Sequence, residues 1–257
     1  MDSVRELTDT ERDVPFLALQ YARYENTKAC HARMFEEFTK EFEARPYLVK
    51  HKAYKDHAIY GEKPFHFLWD VLVQEVPKDF RFLEIGVYKG QVLSLIGLLT
   101  EVHHKRSYVV GVSPFNGAGD KYSNYSRAVN YKELTEEAWS HSCLGPLYTI
   151  PKTLHLITGY STDQDVIDQV THTEPYDIIY IDGSHDYEVV VQDIQNYAPL
   201  VKFGGFLVMD DAATDRETDN WPGHPDVGRA VNEWLDTDKR FGFVFALGHI
   251  KLYRRVS

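Results

Sequence analysis

The sequence predicts a doubly wound α/β fold: a mostly parallel seven-stranded sheet with a C-terminal antiparallel hairpin and an N-terminal helical extension. Three observations point to it. From Arg81 onward, short apolar runs alternate with stretches of helical period, the pattern of a parallel sheet covered on both faces. Near the C-terminus, the runs 243–247 and 250–253 are parted only by Gly248-His249, which fits a tight hairpin. Residues 14–45 and 64–76 carry apolar positions mostly at helical spacing.

In order along the chain, 14–45 reads as helical through Phe16, Leu17, Leu19, Met34, Phe35, Phe38 and Phe42, and Pro46 ends it. Residues 46–63 are rich in Lys, His and Tyr, lack a period and read as a loop. A second helix over 64–76 places Phe65, Leu68, Trp69, Leu72 and Val73 on one face. Strands come next near 81–85, 108–113, 153–158, 177–182 and 205–210, with helices near 91–102, 132–141, 163–170, 187–198 and 226–235. The connection 114–150 is long, and long connections in compact domains are often lids.

Composition narrows the function classes. The chain has 257 residues, 43% hydrophobic and 26% charged, ordinary for a water-exposed globule. A net charge of −11 argues against nucleic acid as a partner, which calls for a basic footprint. The two cysteines, Cys30 and Cys143, form no CxxC pair, so neither a zinc ribbon nor a disulfide framework is indicated. The polar start and the lack of an 18-residue apolar run leave a cytoplasmic protein without a membrane partner as the expectation. Aromatic residues make up 14%, which suits either a tight core or ring-stacking surfaces. The oligomeric state, homo-oligomers included, stays open.

The chemistry gathers at strand ends. Ile178-Ile179-Tyr180-Ile181 runs into Asp182-Gly183-Ser184-His185, and Phe206-Leu207-Val208-Met209 runs into Asp210-Asp211. Open parallel sheets bind ligands outside the carboxyl ends of their strands. Three carboxylates and a histidine are thus expected to converge, which would place a hard divalent cation beside a general base. Oxygen donors without a thiolate favour Mg²⁺ over Zn²⁺. An oxygenase centre would need two histidines and a carboxylate, and these strand ends offer one histidine. The plainer alternatives are a helix-capping Asp182, a solvated Asp210-Asp211 turn and a surface His185. Asp193, on the next helix, is expected to face solvent.

Glu84-Ile85-Gly86-Val87-Tyr88-Lys89-Gly90 joins the first strand to the first sheet helix. Gly86 and Gly90 allow a tight turn, and they also allow close approach of a ligand to the backbone. Tyr88 stands where a dinucleotide fingerprint has its second glycine. Glu84 disfavours a polyphosphate and suits a cationic ligand such as S-adenosylmethionine (SAM).

Glu84-x-Gly86-x-x-x-Gly90, Ile181-Asp182-Gly183-Ser184-His185-x-Tyr187 and Gly204-Gly205-x-x-x-x-Asp210-Asp211 together resemble class I SAM-dependent methyltransferases. The resemblance covers roughly residues 80–255. It is narrowest to the metal-dependent branch with macrolide-sugar O-methyltransferases and cephalosporin-hydroxylase-like enzymes. It implies a Rossmann-like catalytic domain over 76–257, with 1–75 as helical extension and substrate lid. It also implies Mg²⁺, or another divalent cation, on Asp182, Asp210 and Asp211, with His185 as base. The cofactor side would comprise Glu84, Gly86, Gly90, Ser113, Gly159, Tyr160, Ser161 and Asp182. Ser113 and Tyr160 depart from the branch, which usually has acids at both places. The implied reaction is methyl transfer from SAM to a hydroxyl of a small molecule, a sugar or glycosylated natural product first and a catechol-like phenol second. A non-catalytic SAM-fold binding protein is the alternative of another class.

Among the remaining histidines, His51 and His57 are candidates for a substrate cleft, His66 has no assigned chemistry, and His103-His104 suit a helix C-terminus. The loop Trp221-Pro222-Gly223-His224-Pro225 is a candidate substrate wall.

Overall fold

The structure, a computed structural model, describes residues 26–54, 61–122, 125–141 and 152–257. Phe16, Leu17, Leu19, His57 and Cys143 lie outside these residues.

Three helices come first: α1 (Lys28–Glu43), α2 (Pro46–Lys52) and α3 (Lys63–Glu75). Thr27 caps α1 by accepting from the Cys30 N–H at 3.3 Å. Pro46 does end α1, but it also begins α2, so the loop expected over 46–63 is partly helix. Proline suits a first helical turn, where its missing N–H would have had no partner. α3 is buried nearly all round, with Phe67 and Val71 inside as well as the expected face.

The sheet runs β1 (Asp79–Ile85), β2 (Arg106–Ser113), β3 (Lys152–Thr158), β4 (Tyr176–Ile181), β5 (Val201–Met209), β6 (Phe241–Leu247) and β7 (Ile250–Arg255). Its spatial order is β3-β2-β1-β4-β5-β7-β6, with β1 to β5 parallel and β7 antiparallel to both β5 and β6. Helices α4 (Gln91–Val102), α5 (Tyr131–Ser140), α6 (Gln164–Thr171), α7 (Tyr187–Tyr197) and α8 (Pro225–Ala230) connect the strands, and a π-turn at Val231–Leu235 extends α8. The winding reverses between β1 and β4, the place where such sheets open a ligand crevice.

The sheet separates two cores. On one face α1, α3 and α4 pack against Phe82, Val109, Tyr180 and Val208; on the other α6, α7 and α8 cover Leu83, Val110, Ile179 and Leu207. Phe38 of α1 meets Phe245 at 6.0 Å, and Trp69 of α3 meets Tyr180 at 4.9 Å. The described part of the extension is therefore a layer of the fold, continuous with the sheet core. No described helix is long and apolar enough to cross a membrane.

Asp193 of α7 is a correction: it is fully buried, and neither carboxyl oxygen has a hydrogen-bond partner. The spacing Val190, Asp193, Ile194, Tyr197 puts it on the apolar face of α7. Burial pushes its pKa up to about 7, with the nearby Ser161 side chain opposing. The folded state then holds a proton that the unfolded chain releases near pH 4, so stability falls as pH rises from there to about 7. Asp193→Asn is expected to raise the melting temperature at pH 8 and leave it nearly unchanged at pH 4. The difference amounts to at most about 4 kcal/mol.

Candidate active site

Register aligns the strand ends. Ile85 pairs with Ile181 and Ile181 with Met209, so Gly86, Asp182 and Asp210 are the next residues out on three adjacent strands. The Asp182 N–H donates to Ile85 O at 2.8 Å, and the Asp210 N–H to Ile181 O at 3.0 Å, carrying the sheet pattern one step beyond its edge.

Gly86 is required here by sterics. Its φ is 98°, and a Cβ would stand 1.8 Å from the Asp182 carbonyl oxygen. Gly86→Ala is expected to destabilise the fold by about 2–5 kcal/mol, from left-handed strain and overpacking together. Urea denaturation of the variant beside wild type checks it. Gly90 (φ 74°) serves the fold in another way. It is the N-cap of α4, and a Cβ there would meet Thr135 of α5 at 2.7 Å.

Two cavities meet at this edge. The first, about 270 Å³, lies over β1 and β2 and is lined by Gly86, Ser113, Tyr160, Ser161 and Asp182, among others. The second, about 730 Å³, opens between α3 and the ends of β4 and β5; its walls include Phe65, Trp69, Glu84, His185, Trp221 and His249 with all three aspartates. Gly86, Tyr88, Tyr125, Asp182 and Gly183 line both. Gly90 and Gly159 line neither, and Glu84 faces the second cavity rather than the first. Of the histidines considered for a cleft, His51 is buried against the Ser94 hydroxyl at 2.9 Å. His103 stands at the C-cap of α4, the helix end expected for it, and also pairs with the buried Asp70 at 2.6 Å.

The acids are held in an unusual state. Glu84 is buried, its Oε2 has no partner, and burial with the Asp210 charge pushes its pKa up to about 8 against the opposing Leu93 N–H. Asp182 accepts from the Tyr180 hydroxyl at 3.1 Å and shares a side-chain hydrogen bond with Asp210. Burial and then its neighbours Asp210 and Asp211 hold its pKa well above the usual carboxylate range. Asp210 is raised as well: burial leads, His249 opposes and Asp211 adds. Clustered carboxylates behave this way until cations or protons compensate them.

Asp211 sits at φ 53°, a left-handed conformation that Asp tolerates better than most residues. The Trp221–Pro225 loop holds it there: the His224 N–H donates to Asp211 O at 2.9 Å, and a Cβ on Gly223 would come within 2.1 Å of that oxygen. Lys251, fully buried on β7, anchors the segment between Asp211 and that loop through Asp215 at 2.8 Å.

His185 lies between two carboxylates. Its Nδ1 is 2.7 Å from Asp120 Oδ2 and its Nε2 is 2.9 Å from Asp211 Oδ2. Burial lowers the proton affinity of the ring, but the bonds to Asp211 and Asp120 outweigh burial, and its pKa is raised. Asp120 comes from the long connection after β2, and nothing in its local sequence announces it.

Two further histidines join the site. His249, in the β6–β7 turn, lies 3.5 Å from Asp210 and 3.7 Å from Asp211; His224 lies 3.7 Å from Asp211. The single histidine read at the strand ends is thus one of three around Asp211. Topology explains His249: β6 runs parallel to β5, so the turn after it returns to the ligand edge. Trp221 packs 5.1 Å from both His224 and His249, and it lines the second cavity as the wall expected of its loop.

Known proteins resemble this chain in sequence or in fold. The uncharacterized protein R132 of Acanthamoeba polyphaga mimivirus is 29% identical over 171 residues, which cover 66% of this chain. The match spans 65% of that protein's length. CalS11, a TDP-rhamnose 3'-O-methyltransferase of calicheamicin biosynthesis, superposes with a TM-score of 0.54 at 17% identity, over 87% of this chain and 93% of its own. TomG, an O-methyltransferase of Streptomyces achromogenes solved with SAM, gives 0.52 at 16% identity over 93% and 99%. At such identities the likeness is one of fold. The profile of the family described as "Methyltransferase domain" matches residues 83–212, just over half of the chain and the span from β1 to the Asp210-Asp211 turn. The chain belongs to this methyltransferase-domain family.

Proposed function

We infer that the protein is a SAM-dependent O-methyltransferase acting on a hydroxyl of a small molecule, a sugar or glycosylated natural product. The observation that carries the reading is the meeting of the two cavities at Gly86, Asp182 and Gly183, with three aspartates and His185 on the acceptor side. The likeness to a rhamnose O-methyltransferase supports the sugar class.

The residues fit both a methyl donor and a cation. An orphaned, buried carboxyl oxygen on Glu84 suits a cationic amine such as that of SAM. The first cavity, with Ser113, Tyr160 and Ser161, would hold the adenosine end. Asp182, Asp210 and Asp211 offer the hard oxygen donors that Mg²⁺ or a similar cation takes. When bound, SAM supplies an electrophilic methyl group and leaves as S-adenosylhomocysteine (SAH), and a divalent cation supplies charge that lowers the pKa of a nearby hydroxyl.

The side chains of this protein do the rest. The His185–Asp211 pair would take the hydroxyl proton as the oxygen bonds to the methyl carbon and the methyl–sulfur bond breaks. Asp120 fixes the ring through Nδ1, and Asp211 stabilises the imidazolium that forms. Phe65 and Trp221 line the cavity in which the acceptor would stand and offer it aromatic surface. α1 and α3 close the acceptor side and limit water, which strengthens each electrostatic contact inside.

The test is SAH release over a panel of nucleotide sugars and catechols, with and without EDTA. Turnover of a sugar, lost in EDTA and restored by a divalent cation, is the expected result. Full activity in EDTA would remove the cation from the reaction. Preference for catechols would move the substrate to the phenol class, and no heat on titration with SAM would favour a non-catalytic role.

A further inference from the structure

We propose that His249 is a metal ligand and that, with Asp210 and Asp211, it makes the acceptor-site centre prefer a borderline transition-metal dication over Mg²⁺. The inference rests on the reading that a cation binds these carboxylates, and it adds a nitrogen donor and a class of metal.

Spacing favours a ligand role. His249 Nε2 stands 3.5 Å from Asp210 Oδ1 and 3.7 Å from Asp211 Oδ1, and the three donor atoms lie within 4.8 Å of one another. A charged His–carboxylate pair free to close would settle at about 2.7–2.9 Å. Neighbouring donors about 2.0–2.2 Å from one cation, at tetrahedral to octahedral angles, stand about 3.0–3.6 Å apart. The observed gaps lie near the second spacing.

The ring is also held in place before any cation arrives. The carbonyl of His249 accepts from the N–H groups of Ala212 and Ala213 at 2.8 and 3.1 Å, which ties the hairpin turn to the residues just after Asp211. Phe65 packs against its ring at 4.7 Å and Trp221 at 5.1 Å. Asp211 divides its oxygens: Oδ2 holds His185 at 2.9 Å, while Oδ1 is the atom nearest His249. On the same cavity the buried Glu84 carboxyl, read above as the partner of the donor's amine, has an oxygen without a protein partner, so this edge calls for more positive charge than the protein supplies.

Donor chemistry sets the metal class. Mg²⁺ takes oxygen ligands almost throughout, whereas imidazole suits Zn²⁺, Co²⁺, Ni²⁺ and Fe²⁺. Asp210, Asp211 and one imidazole, beside the Asp182 carboxylate, form a mixed oxygen and nitrogen set.

The test is calorimetric titration of the chelator-stripped full chain with Co²⁺ alone and with Mg²⁺ alone, for wild type, His249→Ala and Asp210→Asn. Wild type is expected to bind Co²⁺ at least about tenfold more tightly than Mg²⁺. His249→Ala should lose at least about tenfold in Co²⁺ affinity and change Mg²⁺ affinity by no more than about twofold. His249→Gln serves as the second variant if the alanine form does not fold. The Co²⁺-loaded wild type should also show a contact-shifted, exchangeable imidazole N–H proton resonance. Co²⁺ binding that is unchanged in a folded His249 variant, or a spectrum with no such resonance, overturns the ligand role and leaves the cation reading standing. Wild type that binds neither ion, or Asp210→Asn that binds both as wild type does, overturns the cation reading and the inference with it.

Discussion

Asp211→Asn is expected to slow methyl transfer by about 10³-fold or more while leaving the fold intact, because it removes a charged ligand and a partner of the base together. The two effects are separable in principle but share one side chain: Oδ2 holds His185 at 2.9 Å, and Oδ1 faces His249. Asparagine keeps the shape and tolerates the left-handed backbone at φ 53°. It also removes one charge from a buried acidic cluster, so thermal stability should hold or rise. Single-turnover rates beside a melting curve check both halves. A variant that loses activity only because it unfolds would remove Asp211 from the chemistry.

His185→Ala is expected to lower kcat by about 10²–10⁴-fold, the usual worth of a positioned general base. SAM affinity should stay within about threefold, since the ring lines the acceptor cavity and not the first cavity. Asp120→Asn should give a smaller loss, because Asp120 acts through the orientation of His185 Nδ1 and not on the hydroxyl. A kcat that moves less in His185→Ala than in Asp120→Asn would reverse these roles.

Much of this arrangement is legible from the sequence, and the legible part shares one physical basis. Strands buried on both faces write themselves as apolar runs, and a parallel sheet brings the residues just after each run to one edge. Asp182, Asp210, Asp211 and His185 can therefore be read from local order alone. Asp120 and His249 cannot, and His224 only as part of a candidate wall. Each reaches the site through tertiary structure: Asp120 from a long connection, His224 from a loop folded back on Asp211, and His249 from a hairpin turn. For His249 a signal does exist, since a strand antiparallel to β5 must begin at the ligand edge. α2 is hidden because its seven residues are too few to show a period, and only the N1 preference of proline marks its start. Asp193 is hidden because an acid within an apolar helical stripe reads as solvent-facing by type, although its spacing places it inside.

In the proposed reaction a methyl donor and a cation meet across Asp182, with His185 beside them. A crystal structure of the full chain with SAH and Mn²⁺, using the anomalous signal of manganese, would show whether they do. The expected result is an anomalous peak at coordination distance from Asp210 and Asp211, with SAH in the first cavity and its sulfur directed past Gly86 and Asp182 toward that peak. Manganese bound away from these aspartates, or SAH lodged with its sulfur turned from them, would refute the meeting of donor and cation at this edge.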